Sequence, residues 1–246
     1  MRIIALLGSL LVAGAVLMGG QSAKEPQEEK WRQKREEMVR RQLITRGIRE
    51  PRVLLAMRTV PRHAFVPAAQ RHLAYEDYPL PIGHGQTISQ PYIVAYMTEK
   101  LQLQGDERVL EIGTGSAYQA AILAELADSV YSIEIVEPLC QKAASRLDSL
   151  GYSHARVRCG DGYNGWPEAA PFDAIVITAA PPQIPQPLLD QMAVGGRLIA
   201  PVGEAFQELI LVKKISESQY KQERLLPVRF VPMTGQAEQI ENDSPH

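Results

Sequence analysis

A strand followed at once by a glycine turn and a helix constrains the fold of this chain more than any other feature of its sequence. Residues 109–116 read Val-Leu-Glu-Ile-Gly-Thr-Gly-Ser, and a helix-like run follows from Ala117 to Leu126. In open α/β sheets this arrangement places a tight turn and a helix N-terminus at the carboxyl end of a strand, where nucleoside-containing cofactors bind. The motif therefore predicts an α/β protein with a cofactor site at Gly113, Gly115 and Ser116.

The residues around these glycines distinguish between cofactor classes. The dinucleotide fingerprint places a third glycine or an alanine three residues after the second, whereas this chain has Tyr118 there. Glu111, two residues before the first glycine, suits a ligand with a positive centre better than a pyrophosphate. S-adenosylmethionine carries a sulfonium and an ammonium and no phosphate. It is therefore the preferred cofactor, and an NAD oxidoreductase is the least favoured enzyme class.

Two further acidic positions extend the predicted cofactor site. Glu134 ends the next apolar run about 20 residues beyond the glycines, followed by Ile135, and a carboxylate there can accept hydrogen bonds from both ribose hydroxyls. Asp161-Gly162 follows the third strand, where it can contact the adenine. Read alone, Glu111 and Glu134 fit solvated acids at strand ends, and Asp161-Gly162 fits a common turn. The glycine turn nearby favours the binding interpretation.

Composition limits the remaining possibilities. The chain has 246 residues, 45% of them hydrophobic, and a net charge of −2, which fits a soluble globular protein with one sizeable core. The near-neutral charge and the lack of a basic stripe argue against nucleic acid as the main partner. The five histidines and the two cysteines, Cys140 and Cys159, show no metal-ligand spacing, so no metal site is expected. The cysteines are either oxidised, as an exported chain permits, or buried free thiols.

Residues 1–23 resemble a secretory leader. Arg2 precedes an apolar stretch from Ile3 to Met18, and small or polar residues lead to Ala23, after which cleavage is expected. The sequence therefore predicts an exported, periplasmic protein with no stable membrane insertion after cleavage. The alternatives are an uncleaved N-terminal anchor, since the stretch approaches the length of a membrane span, or a cytoplasmic protein with a misread leader.

Glycine and proline residues, which interrupt helices and strands, divide the rest of the chain into segments. Residues 24–100 are expected to form a helical and substrate-loop segment, residues 101–235 the core, and residues 236–246 a polar tail. After a charged spacer (24–30), the periodicity predicts helices over Trp31–Arg46 with a stop at Gly47, over Arg52–Met57 and over Pro91–Leu101. The proline-rich stretch over residues 61–81 is expected to lack regular structure.

From Arg108 onward, predicted strands and helices alternate, which indicates a doubly wound, mostly parallel sheet of about seven strands. The expected parallel strands are Arg108–Ile112, Ser129–Glu134, Ala155–Cys159, Phe172–Thr178 and Arg197–Pro201. The expected helices are Ala117–Leu126, Val136–Leu150 and Pro187–Met192. A closing antiparallel pair is expected at Gln207–Ile215 and Leu225–Val231.

The segment from Leu80 to Pro91 is a candidate substrate loop. It holds two glycines, a histidine, an amide and two hydroxyls directly before the core. Ser89 also fits an N-cap of the helix that contains Pro91, and this local interpretation is the more common one. At the end of the fourth strand, the small residues Thr178-Ala179-Ala180 leave room for a methyl donor and an acceptor to meet.

These motifs resemble the protein-L-isoaspartate O-methyltransferase family. The resemblance covers about Met38 to Gln239, and it is most specific in the run from Gln86 to Pro91. The matching segments are Pro79 to Glu99, Val109 to Gln119, Asp161-Gly162 and Arg229-Phe230-Val231-Pro232. It implies a Rossmann-like, class I S-adenosylmethionine-dependent methyltransferase that methylates the α-carboxylate of isoaspartyl residues in damaged proteins and thereby starts their repair through a succinimide.

The resemblance also assigns residues. It implies Ser89 as the active-site serine, with Glu134 at the ribose and Asp161-Gly162 at the adenine. The remaining implied neighbours of the cofactor are Gln86, Thr87, Ile88, Thr234 and Gln239. The long leader is a departure from the family, which is usually cytosolic. A small-molecule methyltransferase and a non-catalytic cofactor-binding protein of the cell envelope remain as alternatives, and the enzyme is expected to be a monomer.

Overall fold

The computed structural model describes residues 24–238. The predicted leader over residues 1–23 and the end of the predicted tail, residues 239–246, lie outside the described residues. Within residues 24–238, no helix combines the length and the apolar character that crossing a membrane requires.

The N-terminal segment is more helical than the sequence predicted. Helix α1 (Lys24–Met38) includes the predicted charged spacer and continues through a π-helical turn and a 3-10 turn. Gly47 ends this run at a φ of 95°, as predicted. Helix α2 (Pro51–Thr59) begins where the Glu50 side chain accepts a hydrogen bond from the backbone N–H of Arg52, so an acidic cap and a proline in the first turn start it.

The proline-rich stretch is regular in part, so the prediction of irregular structure was wrong there. It contains two short 3-10 turns, Arg62–Ala64 and Ala68–Leu73. Strands β1 (Leu80–Gly83) and β2 (Gln86–Ile88) then form an antiparallel hairpin. The candidate substrate loop is therefore a hairpin followed by the short connection Ser89-Gln90.

Helix α3 (Pro91–Leu101) has the predicted bounds but not the expected cap. Its N-cap is Gln90, and no side chain caps the helix. The interpretation of Ser89 as the capping residue was therefore wrong, because Ser89 lies one position too early. Its hydroxyl is left for another role.

A seven-stranded sheet forms the core, in the order β5-β4-β3-β6-β7-β8-β9. Strands β3 to β7 are parallel to one another, and β8 and β9 pair antiparallel, which confirms the predicted fold class. The strands are β3 (Arg108–Ile112), β4 (Ser129–Glu134), β5 (Ala155–Cys159), β6 (Phe172–Ile177), β7 (Met192–Val202), β8 (Gln207–Ser216) and β9 (Gln219–Val228). The helices between them are α4 (Tyr118–Ala124), α5 (Glu137–Ser149) and α6 (Gln186–Asp190).

Two of these strands differ from the prediction by more than one residue at an end. Strand β7 begins at Met192 rather than Arg197 and includes the glycine pair Gly195-Gly196. Strand β9 spans Gln219–Val228, so the predicted residues 229–231 fall after it. They belong instead to the C-terminal segment, residues 229–238, which returns across the carboxyl edge of the sheet and bridges Ala180 through Pro232.

The order of the strands determines where a ligand site is expected. Strand β3 lies between β4 and β6, so the chain reverses its direction of winding at β3, and ligands bind at the carboxyl ends of strands around such a switch point. Buried residues of the N-terminal helices and of the sheet, such as Met38, Met57 and Val109, belong to one hydrophobic cluster. This packing holds the β1–β2 hairpin against the core.

Cys140 and Cys159 form a disulfide between helix α5 and the end of β5. Their Cα atoms are 5.5 Å apart, within the range that a disulfide spans. The alternative of two free thiols, left open by the sequence, is therefore excluded in this structure.

Candidate active site

A pocket opens at the carboxyl ends of β3, β4 and β6. Most of the predicted site residues line it: Gln86, Thr87, Ile88, Ser89, Glu111, Gly113, Gly115, Ser116, Glu134, Ile135, Gly162 and Thr234. They come from the β1–β2 hairpin, the β3–α4 turn, the end of β4, the segment after β5 and the C-terminal segment. We call this the cofactor pocket.

The glycine turn is shaped by close approach to β6. Gly113 has a φ of 96°, and a Cβ atom there would lie 2.5 Å from the hydroxyl oxygen of Thr178. That hydroxyl lies 3.0 Å from the carbonyl oxygen of Ile112 and 2.6 Å from that of Gly113. Both backbone conformation and space therefore require glycine at this position.

Glu134 supports the same turn from the neighbouring strand. Its carboxylate accepts hydrogen bonds from the backbone N–H of Gly115 at 2.6 Å and of Val136 at 2.8 Å. The residue is buried, which rules out the interpretation of a solvated strand-end acid. Each carboxylate oxygen retains a lone pair for a ligand, because a carboxylate has about four acceptor positions.

Glu111 is the most deeply buried acid of the pocket. It is 0% exposed, the Ser132 hydroxyl donates a hydrogen bond to Oε2, and Oε1 has no hydrogen-bond partner. Burial raises the pKa of Glu111 to about 8, the hydrogen bond from Ser132 opposes this shift, and the charge of Glu134 adds to it. An unpartnered buried acceptor beside a pocket fits a cationic donor such as an ammonium group.

A second pocket shares a wall with the first. Thr87, Ser89, Thr178 and Val231 line both pockets. The second is completed by Pro79, Gln90, Ile93, Arg229 and Phe230. We call it the acceptor pocket, because groups bound in the two pockets would meet at the shared residues.

Two groups in or beside the acceptor pocket remain available to a ligand. The Ser89 hydroxyl is half-buried and has no hydrogen-bond partner among residues 24–238. Arg229 is exposed and, within the same described part of the chain, forms no ion pair or hydrogen bond through its side chain. A hydroxyl donor and a cation together favour an anionic acceptor such as a carboxylate.

Two predicted residues are not in the cofactor pocket. Asp161 lies at its edge, where Oδ1 accepts from the backbone N–H of Tyr163 at 2.9 Å and Oδ2 from that of Gln236 at 2.7 Å. It thus forms the turn that the alternative interpretation expected, and it also anchors the C-terminal segment. Its contact with adenine stays a prediction. Gln239 lies outside the described residues.

Several residues of the site were not predicted. Thr114 and Ser132 lie 2.5 Å apart through their hydroxyls and connect to Glu111, but isolated hydroxyl residues carry no sequence pattern. Arg62 is fully buried and donates to the carbonyl oxygen of Ser89 at 2.7 Å. Arginine is expected at the surface, so its position in the sequence gave no indication of this role. Across residues 24–238, no cluster of three or more His, Cys, Asp or Glu side chains is arranged to hold a metal ion.

The sheet order, the glycine turn at its switch point and the buried acids at the ends of β3 and β4 define a class I S-adenosylmethionine-dependent methyltransferase. The comparisons with known proteins narrow this class. The family model described as protein-L-isoaspartate(D-aspartate) O-methyltransferase matches residues 33–238. The chain therefore belongs to the protein-L-isoaspartate(D-aspartate) O-methyltransferase family.

Individual relatives support this family assignment. A protein-L-isoaspartate O-methyltransferase of Opitutus terrae is 56% identical over 94% of this chain and 97% of its own length. Another, of Syntrophobacter fumaroxidans, is 61% identical over 76% of each chain. A solved protein-L-isoaspartate O-methyltransferase superposes with a TM-score of 0.75 and 29% identity, over 83% of this chain and 66% of that one. A beta-aspartate methyltransferase from Plasmodium falciparum, in complex with S-adenosyl-L-homocysteine, shares the fold at a TM-score of 0.71 and 24% identity, over 81% of this chain and 97% of that one.

Proposed function

We propose that this enzyme methylates the α-carboxylate of L-isoaspartyl residues with that carboxylate held in the acceptor pocket, between Ser89 and Arg229. One observation carries the proposal: the cofactor and acceptor pockets share Thr87, Ser89, Thr178 and Val231. A donor in one pocket and an acceptor in the other therefore meet at a hydroxyl-lined junction. The methyl ester then cyclises to a succinimide, which partly reopens to a normal aspartyl residue.

The chemistry needs positioning more than proton transfer. A carboxylate has an ordinary pKa of about 4, so it is already ionised and nucleophilic near neutral pH. S-adenosylmethionine, when bound, supplies an electrophilic methyl group on its sulfonium. The chain has to hold one carboxylate oxygen in line with that group, and orientation of this kind alone gives large accelerations. The Ser89 hydroxyl orients the oxygen by donating a hydrogen bond, and Arg229 attracts the negative charge.

The cofactor pocket fits the polar groups of S-adenosylmethionine. The unpartnered Oε1 of Glu111 can accept from its ammonium group, and Glu134 has free lone pairs for the ribose hydroxyls. Gly162 and Ile135 also line the pocket, and the adenine is expected to lie against them. Thr234 lines the wall formed by the C-terminal segment, in accordance with a role in closing over the cofactor.

A pair of matched peptides tests the acceptor. One peptide carries an isoaspartyl residue and the other a normal aspartyl residue at the same position, and methyl transfer from labelled S-adenosylmethionine is measured with both. Steady turnover of the isoaspartyl peptide alone is the expected result. Equal rates with both peptides, or turnover only of a small carboxylic acid, would favour the small-molecule alternative. Cofactor binding without turnover would favour the binding-protein alternative.

We also propose that the mature chain works outside the cytoplasm. The leader-like residues 1–23 support this, and so does the Cys140–Cys159 disulfide, because disulfides persist mainly in oxidising compartments. Fractionation of cells, with sequencing of the mature N-terminus, should find a periplasmic chain that begins near Lys24. A cytoplasmic chain that retains Met1 would contradict the proposal.

We propose further that the enzyme acts on protein substrates as a monomer and does not bind nucleic acid. The net charge of −2 supports the absence of a nucleic-acid partner, since binding to nucleic acid demands a basic surface. Light scattering should give the mass of one chain at assay concentrations, and an added RNA should leave the KM for the peptide unchanged.

A further inference from the structure

We propose that the Cys140–Cys159 disulfide is a positioning element of the cofactor pocket, and that its reduction weakens cofactor binding. The inference concerns cofactor affinity alone. It therefore holds or fails independently of which carboxylate is methylated.

The disulfide lies next to Glu134, the acid that is predicted to bind the ribose. Cys159 is the last residue of β5 and the register partner of Glu134 on β4. The next residue, Gly160, donates from its backbone N–H to the carbonyl oxygen of Glu134 at 2.9 Å. On the other side, the backbone N–H of Cys140 donates to the carbonyl oxygen of Val136 at 3.0 Å. Cys140 is thus hydrogen-bonded to a residue that lines the cofactor pocket, and Cys159 lies opposite another in the β4–β5 ladder.

The bridge links the two ends of the chain segment that connects two parts of the pocket lining. This segment leaves the pocket at Glu134, Ile135 and Val136, runs through α5 and β5, and returns to the pocket at Gly162. The sequence separation of the two cysteines is 19. Closing this loop covalently restricts how far the departing and returning ends can separate. These ends are predicted to hold the ribose and the adenine.

Strand β5 has particular need of such support. It is the edge strand of the sheet, so only β4 holds it by backbone hydrogen bonds. The end of an edge strand opens at lower free-energy cost than a central strand. Without the bridge, the returning end at residues 160–162 depends on the β4–β5 ladder and on the two hydrogen bonds that Asp161 accepts from the backbone of Tyr163 and Gln236.

The bridge is also accessible to reduction. Cys159 is exposed, whereas Cys140 is only 2% exposed. A dithiol can therefore approach from the side of Cys159. It transfers two electrons and two protons: the S–S bond breaks, two thiols form, and the dithiol closes to its own cyclic disulfide.

Calorimetric binding of S-adenosylhomocysteine tests the proposal on the full-length mature enzyme. The oxidised protein, the dithiothreitol-reduced protein and the double variant Cys140→Ala/Cys159→Ala are compared. We expect Kd to rise about tenfold in the last two, with the KM for the peptide and kcat at saturating cofactor unchanged. Leu147→Ala is the matched control. It removes a buried side chain from the same helix, two turns beyond Cys140, and leaves the bridge intact.

The control separates positioning from general stability. Both changes are expected to lower the melting temperature, but only loss of the bridge should change Kd. If Leu147→Ala weakens binding as much as loss of the bridge, or if oxidised and reduced proteins bind equally well, the proposal is overturned. In that case the disulfide stabilises the fold without acting on the pocket.

Reciprocity gives a second readout that needs no substitution. If oxidation strengthens binding by some factor, bound S-adenosylhomocysteine must make the disulfide harder to reduce by the same factor. The ratio of reduced to oxidised dithiothreitol at half-reduction should therefore rise about tenfold at saturating S-adenosylhomocysteine. An unchanged ratio would contradict the proposal, even if the double variant binds weakly.

Discussion

The guanidinium of Arg62 donates a hydrogen bond from Nη2 to the carbonyl oxygen of Ser89 at 2.7 Å, although Arg62 is fully buried. Its Nε donates to the carbonyl oxygen of Ala74 at 2.7 Å, and within residues 24–238 it forms no salt bridge with a carboxylate. Burial lowers the pKa of Arg62 to about 10, so it remains charged at neutral pH. A buried cation thus fixes the backbone that carries the serine of the acceptor pocket.

Arg62→Lys should impair catalysis more than cofactor binding. Lysine keeps the charge but loses the planar fork that reaches two carbonyl groups at once. Displacement of the Ser89 backbone should lower kcat about 10- to 100-fold. The Kd for S-adenosylhomocysteine should stay within about twofold, because Arg62 does not line that pocket.

Arg35→Lys is the control for this prediction. Arg35 is also buried and its guanidinium contacts the Tyr75 hydroxyl at 3.2 Å, but it does not touch Ser89. The Arg35→Lys variant should be less stable than the native enzyme, and its kcat should be unchanged. A similar loss of kcat in both variants would show that Arg62 acts only through the stability of the N-terminal segment.

Ser89→Ala should lower kcat about 100-fold and leave cofactor affinity nearly unchanged. The alanine variant lacks the hydrogen bond that orients the acceptor oxygen, while the carboxylate remains ionised. Ser89→Thr retains a hydroxyl and should recover part of the rate. Initial rates at saturating cofactor and calorimetry with S-adenosylhomocysteine separate the two effects. Equal loss of rate and of cofactor affinity would contradict the assigned role.

Gly113→Ala should weaken cofactor binding more than its backbone strain alone explains. The new Cβ would lie 2.5 Å from the Thr178 hydroxyl oxygen. Gly47→Ala is matched in backbone, since its φ is 95° against 96° for Gly113, and its Cβ would meet nothing within 4 Å. Both variants should lose about 1 kcal/mol or more of stability. Only Gly113→Ala should raise the Kd for S-adenosylhomocysteine, and equal Kd values would disprove the argument.

Glu111 should couple cofactor binding to proton release. In the free enzyme its pKa is raised to about 8 by burial, so it is largely protonated at neutral pH. A cation beside Oε1 lowers that pKa again, so binding should release up to about one proton near pH 7. Calorimetry in buffers of different ionisation enthalpy measures this number. Glu111→Gln should bind more weakly and release no proton; proton release unchanged in this variant would assign it to another group.

The same carboxyl should make the free enzyme less stable as the pH rises. Its pKa is about 8 when folded and 4.5 when unfolded, so the unfolded state loses the proton first. The contribution of Glu111 to stability is therefore fully present below about pH 4.5 and is lost as the pH rises towards 8, by at most roughly 1.4 kcal/mol per pH unit. Urea unfolding across this window should show the decline in the native chain, and Glu111→Gln should flatten it.

The central strands were predictable because they are buried on both faces. Runs such as Arg108–Ile112 and Ser129–Glu134 are mostly apolar, are buried beyond their first residue and are bounded by turn residues, so their limits match the structure. The β1–β2 hairpin was not predictable in this way. Strand β1 has only four residues, and Pro81 and the glycines around it are residues that sequence patterns assign to turns. The burial that stabilises the hairpin comes from the distant sheet.

The pocket was predictable where local geometry alone defines it. The strand–turn–helix pattern alone predicts Gly113 and Gly115. The end of the next apolar run predicts Glu134 in the same way, without any contact between distant residues. The role of Arg62 could not be predicted, and neither the contact of Thr178 with Gly113 nor the choice between a disulfide and free thiols could be settled, because each depends on a contact between distant parts of the chain. Asp161 shows the intermediate case: its place after β5 was clear, but its bond to Gln236 depends on how the C-terminal segment returns.

The C-terminal segment lines both pockets, and we expect this sharing to set the order of events in a catalytic cycle. Val231 lines both pockets, Thr234 lines only the cofactor pocket, and Arg229 lines only the acceptor pocket. The backbone around Val231 is fixed to Ala180 by two hydrogen bonds of 2.8 Å. A bound peptide would therefore contact the segment that also lines the cofactor pocket, and should hinder its movement. The cofactor should enter first and its demethylated product should depart last, so that the residence time of a peptide determines how long the cofactor is trapped.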